Sequence, residues 1–249
     1  MNFHSRTNLI TSQTQKKNKI NPPVPISAWM RKIRHQYPQM TSEIQNSSWV
    51  LLGYVLNKPK SWLVAHTDYQ IMPNQMALLE TLFSRLMAGV PLAYLIGEWS
   101  FFGLDFYIDE SVLIPRPETE LLVEKAIAWL KSYPQPHKMV EVGTGSGCIA
   151  ISIAASFPHL EIIATDISLQ SLQVAQKNLK RHSIQNIRLV QGDLLGCLNT
   201  EFNLICANLP YIPSQRLQSL PVSTTEPWIA LDGGENGLMQ INKFLEQST

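Results

Sequence analysis

Apolar positions recur at helical spacing four times before any alternating stretch appears. The first run, Ser27-Ala28-Trp29-Met30-Arg31-Lys32-Ile33, opens on a serine cap. The second, Ser47 to Leu56, stops before Asn57 and Pro59. The third, Ser61 to His66, is short, and the fourth runs from Asn74 through Met87 and Ala88 to a stop at Gly89. Four helices without an intervening strand predict a small bundle of roughly seventy residues, near the lower limit for an independent core. Its aromatic and methionine residues are expected in that core. It carries no cluster of titratable side chains, so its expected role is recognition or docking.

The texture changes at Ala93. Ser100 to Ile108 and Val112-Leu113-Ile114 read as two short strands around a turn at Asp109-Glu110-Ser111. Pro115 and Pro117 flank Arg116, and Glu118-Thr119-Glu120 opens a helix that continues to Leu130. Acidic residues in its first turn complement the helix dipole.

From Met139 the chain alternates strand and helix. Met139 to Val142 is a buried strand and Cys148 to Phe157 a helix. Glu161 to Thr165 is a second strand, Leu169 to Arg181 a helix, Ile187 to Gln191 a third strand, and Asn203 to Ala207 a fourth. This alternation predicts an α/β fold with a parallel sheet covered on both faces.

Composition narrows the class. A net charge of +1 argues against a general nucleic-acid binder, which would carry a basic excess. Cys148, Cys197 and Cys206 have no metal-ligand spacing and are expected to be buried thiols in a reducing compartment. No metal site is expected. No apolar run approaches the ~20 residues of a membrane span. Residues 1–21 are polar, acid-free and basic at Arg6, Lys16, Lys17 and Lys19. They are expected to form a disordered tail, with an organelle transit peptide as the alternative and the cytoplasm as default location.

The chemistry gathers at strand ends. Glu141-Val142-Gly143-Thr144-Gly145-Ser146-Gly147 joins the first strand to its helix, and its alternate glycines let the backbone approach a ligand closely. Cys148 occupies the position where a dinucleotide fingerprint needs a glycine or another small residue, and no Gly-Lys-Ser/Thr follows. The Glu-x-Gly-x-Gly-x-Gly spacing resembles the loop of S-adenosylmethionine-dependent methyltransferases, which nominates Gly143, Thr144, Gly145, Ser146 and Gly147 as cofactor contacts. Asp166, ending the second strand, is the candidate for a ribose diol; a helix cap is its competing role. Asp193 could meet the adenine amino group, with Leu194 as an apolar wall, against the alternative of a simple turn. Asn208-Leu209-Pro210-Tyr211 ends the fourth strand with an amide, a proline and an aromatic ring. If the Asn208 side-chain oxygen and the Leu209 carbonyl accept both N–H bonds of a planar amino group, its nitrogen is held in line with a methyl donor while Tyr211 stacks on it.

With these residues in place the chain resembles the PrmC/HemK family, glutamine N(5)-methyltransferases of peptide-chain release factors. The resemblance runs from about Ser47 to Glu246. It rests on Pro91-Leu92-Ala93-Tyr94 through Phe102-Gly103-Leu104, Ile114-Pro115-Arg116-Pro117-Glu118-Thr119-Glu120, the glycine loop, the Asn-x-Pro-Tyr tetrapeptide, and Glu226-Pro227 with Ala230 to Gly234. It implies methylation of the glutamine side chain in a release factor's Gly-Gly-Gln loop, with S-adenosylmethionine as donor. Gly143 to Gly147 and Asp166 would bind the cofactor. Asn208, Leu209, Pro210 and Tyr211 would hold the glutamine, with Asn208, Pro210 and Tyr211 as the catalytic set and Asn208 also facing the cofactor.

The expected organisation is a tail (1–21), a helical substrate-recognition domain (22–92), a linker hairpin (93–115) and a Rossmann-like methyltransferase domain (116–249), acting as a monomer. The family usually has proline where Leu209 stands, a small departure because the bond at issue comes from a backbone carbonyl. A methyltransferase sheet has seven strands, so the domain is expected to be C-terminally incomplete by ~40 residues, leaving an unpaired edge on the fourth strand. Competing expectations are another amino methyltransferase, for instance on DNA adenine, and an inactive truncated fragment.

Overall fold

A computed structural model of the chain describes residues 22–133 and 137–248, so the expected tail over 1–21 lies outside the described residues. Backbone contacts divide the chain into two compact units, 1–83 and 84–249.

In the first unit a two-residue strand β1 (Val24–Pro25) leads into α1 (Ile26–Gln36). Burial of Ile26, Trp29, Met30 and Ile33 follows the i, i+3, i+4, i+7 stripe of a helix that packs along one side. Helix α2 (Ser42–Leu56) begins earlier than its apolar run suggests, because the Thr41 side chain accepts a hydrogen bond from Ile44 N and starts the helix on a polar turn. Asn57 ends it in the left-handed conformation (φ 52°). Helix α3 (Lys60–Ala65) buries Leu63, and β2 (Gln70–Ile71) pairs antiparallel with β1. Helix α4 (Pro73–Met87) contributes Leu79, Leu82 and Phe83, the last edge-on to Trp29 with ring centroids 5.6 Å apart.

The second unit opens with the end of α4 and a short helix α5 (Leu92–Ile96). Strands β3 (Glu98–Phe101) and β4 (Leu104–Tyr107) pair antiparallel. The sequence reading placed the reversal at Asp109-Glu110-Ser111. The chain instead doubles back at Phe102-Gly103, both left-handed (φ 50° and 73°), the pair of conformations a two-residue hairpin turn needs. Residues 112–114 therefore have no strand partner, and Val112 and Ile114 pack as buried side chains of an irregular segment. Residues 93–115, expected as a linker, share one buried cluster with the sheet: Phe101, Phe106 and Ile108 lie with Met139, Ile151 and Ile162.

After a single 3₁₀ turn at Pro117–Thr119 come α6 (Glu120–Ser132), β5 (Lys138–Val142), α7 (Cys148–Ser156), β6 (Glu161–Asp166), α8 (Leu169–Arg181), β7 (Ile187–Gln191) and β8 (Leu204–Ala207). The four strands are parallel in the order β7-β6-β5-β8. Strand β5 is apolar on both faces, with Met139, Val140 and Val142 fully buried, which is what a central parallel strand requires. Helix α7 is buried on every side from Cys148 to Ala154 and reaches solvent only at its last two residues. Helix α8 shows its basic last turn to solvent and is capped by Ser168 Oγ, which accepts from Ser171 N at 3.2 Å. Among the described residues β8 is bonded only to β5. Beyond it the chain forms α9 (Ser214–Leu217), two 3₁₀ turns at Pro221–Thr224 and Trp228–Ala230, and α10 (Met239–Gln247). No helix of the described residues is long and apolar enough to cross a membrane.

Candidate active site

The strand order reverses at β5, with β6 on one side and β8 on the other. In an open parallel sheet that reversal leaves a crevice beyond the carboxyl ends of the strands, where crossover helices diverge and ligands bind. The glycine loop leaves β5 on one wall and Asn208 to Tyr211 leaves β8 on the other. The fold alone thus brings together two motifs more than sixty positions apart in the numbering.

A cavity of about 300 Å³ occupies this crevice. Gly143, Gly145 and Gly147 all have positive φ (71°, 55° and 81°). At Gly145 a β-carbon would meet nothing within 4 Å: the backbone there faces open space. Asp166 Oδ2 accepts from Gly145 N at 2.8 Å and Oδ1 from Ser168 N at 2.9 Å, so the carboxylate braces the loop it adjoins. The helix cap that competed for this residue belongs to Ser168. Each carboxylate oxygen of Asp166 retains a second acceptor position for a diol. Burial raises its pKa, against the pull of those N–H bonds.

Asp193 and Leu194 also line the cavity. Asp193 Oδ2 is ion-paired with Lys243 of α10, and Leu194 is left-handed (φ 55°) with its carbonyl accepting from Thr165 Oγ1 at 3.1 Å. Lys243 was not legible as a site residue, since nothing local marks one lysine of an amphipathic helix.

Glu141 is the buried charge of the site, 1% exposed in the middle of the sheet. Its Oε2 accepts from Thr144 Oγ1 (2.6 Å) and Ala150 N (3.1 Å), tying the glycine loop to the first turn of α7. Its Oε1 is buried without a hydrogen-bond partner, in a residue that lines the cavity. Burial pushes its pKa up to about 8, opposed by the two donors. The sequence reading counted Glu141 only as the head of the glycine spacing.

A second cavity of about 410 Å³ adjoins the first, and both are walled by Thr119, Asn208, Leu209 and Pro210. Tyr211 lines the second alone and is 66% exposed. Asn208 Nδ2 donates to Thr119 Oγ1 at 3.2 Å, which leaves Oδ1 as its acceptor. Thr119 was missed as a site residue: its signal lay only in the quoted Ile114 to Glu120 motif, to which no role had been attached.

The tetrapeptide is backed by the segment that ends in Gly233-Gly234. Glu226 accepts from Ile114 N (Oε2, 3.0 Å) and from Arg116 Nη2 (Oε1, 2.5 Å), pinning the start of that segment to the wall before α6. Asp232 accepts from Ser214 Oγ (2.6 Å), Gly234 N (3.0 Å) and Trp228 Nε1 (3.1 Å), and the Ser214 bond leads the causes that lower its pKa. Ile212 N donates to Leu231 O and Gly233 N to Ile212 O. At Gly237 (φ 80°) a β-carbon would sit 2.4 Å from Tyr211 O, so only glycine allows this backbone approach.

Cys148 and Cys206 are buried beside Glu141, and burial pushes both thiols up to about 12. Cys197, expected to be buried, is exposed, although its Sγ fills the space beside Gly192. Among the described residues no group of His, Cys, Asp or Glu could hold a metal ion.

These residues fit S-adenosylmethionine on the structure's own terms. Gly145 gives a backbone cradle that a side chain would fill, Asp166 has acceptor capacity, and the unpartnered Glu141 oxygen is a polar group lacking a counterpart.

Comparison with known proteins agrees. Residues 29–97 match the PrmC N-terminal domain and residues 118–222 the methyltransferase small domain. A release factor glutamine methyltransferase of Escherichia coli (strain K12) is 34% identical over 223 residues, 88% of this chain and 79% of that protein. One from Buchnera aphidicola is 31% identical over 224 residues, covering 90% and 80%. One from Coxiella burnetii is 38% identical over 205 residues, covering 80% and 72%. Among solved structures, the hMettl16 catalytic domain in complex with the MAT2A 3'UTR hairpin 6 overlaps 59% of this chain and 57% of its own. Its TM-score is 0.47 and its identity 20%, too loose to carry an argument. With matches of this extent on both sides of the crevice, the chain belongs to the release factor glutamine methyltransferase family.

Proposed function

We propose that the chain transfers a methyl group from S-adenosylmethionine to the side-chain amide nitrogen of the glutamine in the Gly-Gly-Gln loop of a peptide chain release factor. The observation that carries this is the shared wall: Asn208, Leu209 and Pro210 stand between the cofactor-sized crevice and the second cavity. Bound in the crevice, S-adenosylmethionine supplies an electrophilic methyl on a sulfonium sulfur. The glycine loop and Asp166 would hold that cofactor, with Asp193 and Leu194 on the side of its base.

An amide nitrogen is a poor nucleophile because its lone pair is delocalised into the carbonyl. Asn208 Oδ1 and the Leu209 carbonyl each accept one of its N–H bonds. They fix the nitrogen against the wall shared by the two cavities and favour the charge that develops on it. The tie from Asn208 Nδ2 to Thr119 keeps Oδ1 turned to this task. Pro210 shapes the wall and Tyr211 offers a stacking face. Segment 22–92 grips the protein substrate. The protein acts as a monomer in the cytoplasm on a protein substrate, in keeping with its near-neutral charge.

The test is to incubate the 249-residue chain with S-adenosylmethionine and a release factor, and to locate added methyl groups by peptide mass spectrometry. Methyl on the Gly-Gly-Gln glutamine is the expected result. An unmodified release factor, or methyl delivered instead to an adenine-containing duplex, would overturn the reading.

A further inference from the structure

Asn178 is a polar residue in the last turn of α8, fully buried, and it does not line the crevice. Its Oδ1 accepts from Tyr107 N at 2.7 Å, while its Nδ2 donates to Tyr107 O at 3.0 Å and to Ser146 O at 2.8 Å. All three partners are backbone groups of fixed polarity: an N–H can only donate and a carbonyl can only accept. The side-chain amide therefore has one orientation, with no alternative flip. By bonding both the N–H and the C=O of Tyr107, it acts as a one-residue strand on the last residue of β4. Its remaining bond reaches the glycine loop between Gly145 and Gly147.

The two groups it joins are separate parts of one crevice. Ser146 belongs to the wall that leaves β5. Tyr107 anchors the run through Ser111, Val112, Leu113 and Pro115 that forms another wall. A second tie from the same helix, Ser171 Oγ to Ser111 O at 3.1 Å, holds this run further along.

The geometry points to Asn178 as a positioning residue for the cofactor. Its amide locks the glycine loop to the 107–115 wall, so the two close on the ligand as one body. This rests on the crevice being the S-adenosylmethionine site, and it assigns a role that no residue touching the ligand can fill. Aspartate at 178 would keep the acceptor for Tyr107 N–H but set an oxygen against two carbonyls. Leucine would keep the shape and leave three buried backbone groups without partners.

The experiment measures S-adenosylhomocysteine affinity by calorimetry, with steady-state kinetics on the release factor, for the wild-type chain, Asn178→Leu and Asn178→Asp. Both variants are expected to bind S-adenosylhomocysteine about tenfold or more weakly. KM for S-adenosylmethionine should rise in step, with kcat at saturating cofactor changed by less than about twofold. A merely structural amide would instead lower the melting temperature and leave that KM alone. A variant that melts cooperatively with unchanged affinity, or that loses kcat at unchanged KM, overturns the proposal.

Should neither variant fold, amide exchange of the wild-type chain decides. Adding S-adenosylhomocysteine should slow exchange at Tyr107 together with Gly145, although Tyr107 does not line the crevice; protection of Gly145 alone overturns the coupling. A wild-type chain that binds no S-adenosylhomocysteine would overturn the cofactor reading itself, a result distinct from either variant failing.

Discussion

Two walls of the crevice are built by different means. The wall from β5 to Leu194 is regular: strand, glycine turn, helix, strand. The wall from Asn208 to Gly237 holds one short helix and two 3₁₀ turns, and its shape comes from cross-links. Glu226 ties it to Ile114 and Arg116, Asp232 to Ser214 and Trp228, and Gly237 to the back of Tyr211. A pocket for a cofactor can be carried by local backbone geometry supported by a sheet. A platform proposed to hold a substrate amide in register needs its own frame, because no strand or long helix fixes it.

That contrast can be broken from either side. The largest effect is expected at Gly237→Ala, whose β-carbon collides with the Tyr211 carbonyl. Glutamine methylation should be lost while S-adenosylhomocysteine binding stays within about threefold, since the collision lies outside the cofactor wall. Equal loss of both would show the walls to be one unit.

Next comes Asn208→Ala, which removes an acceptor expected to bind the reacting amide. A fall in kcat of about 10²–10³-fold with a folded protein is expected, on the scale of other preorganised polar contacts.

Glu226→Ala strips Ile114 N of its acceptor and leaves Arg116 unpaired. With the arginine partly solvated, the loss of stability in a denaturant titration should be about 2 kcal/mol. Catalysis should suffer more than cofactor affinity.

The last effect is a pH slope, modest over any single pH unit. Burial raises the folded-state pKa of Glu141 from 4.5 to about 8. Between those values the folded protein keeps a proton that the unfolded chain has released. Stability is therefore fully present below about pH 4.5 and declines as pH rises to about 8, by at most about 1.4 kcal/mol per pH unit for one proton. Thermal melts of Glu141→Gln should lack this component; an unchanged slope would place the titrating group elsewhere.

The regular wall was legible in advance because its signals are local. The apolar runs at 139–142, 161–165 and 187–191, the glycine spacing and the Ser168 cap each act within a few residues, so chain order reveals them. The resemblance carried by Ile114 to Glu120 and by Glu226 to Gly234 pointed to the family without giving those segments a physical task. Only the tertiary structure did so, because a hydrogen bond such as Glu226 to Ile114 leaves no periodic trace across 112 positions.

The hairpin was misread for a related reason. Phe102 in a left-handed turn defies its own preference and is held there by its surroundings, with Glu120 Oε1 accepting from Phe102 N at 2.8 Å. Asn178 shows the same limit: in the sequence it is one polar residue of an amphipathic helix, and in the fold it satisfies three backbone groups. By itself the sequence determined the strands and helices from 139 to 207, the sheet class and the two motifs, since these rest on periodicity and local backbone freedom. The strand order, the shared wall and the ties that hold it were decided by packing, where residues remote in the chain satisfy one another's buried polar groups.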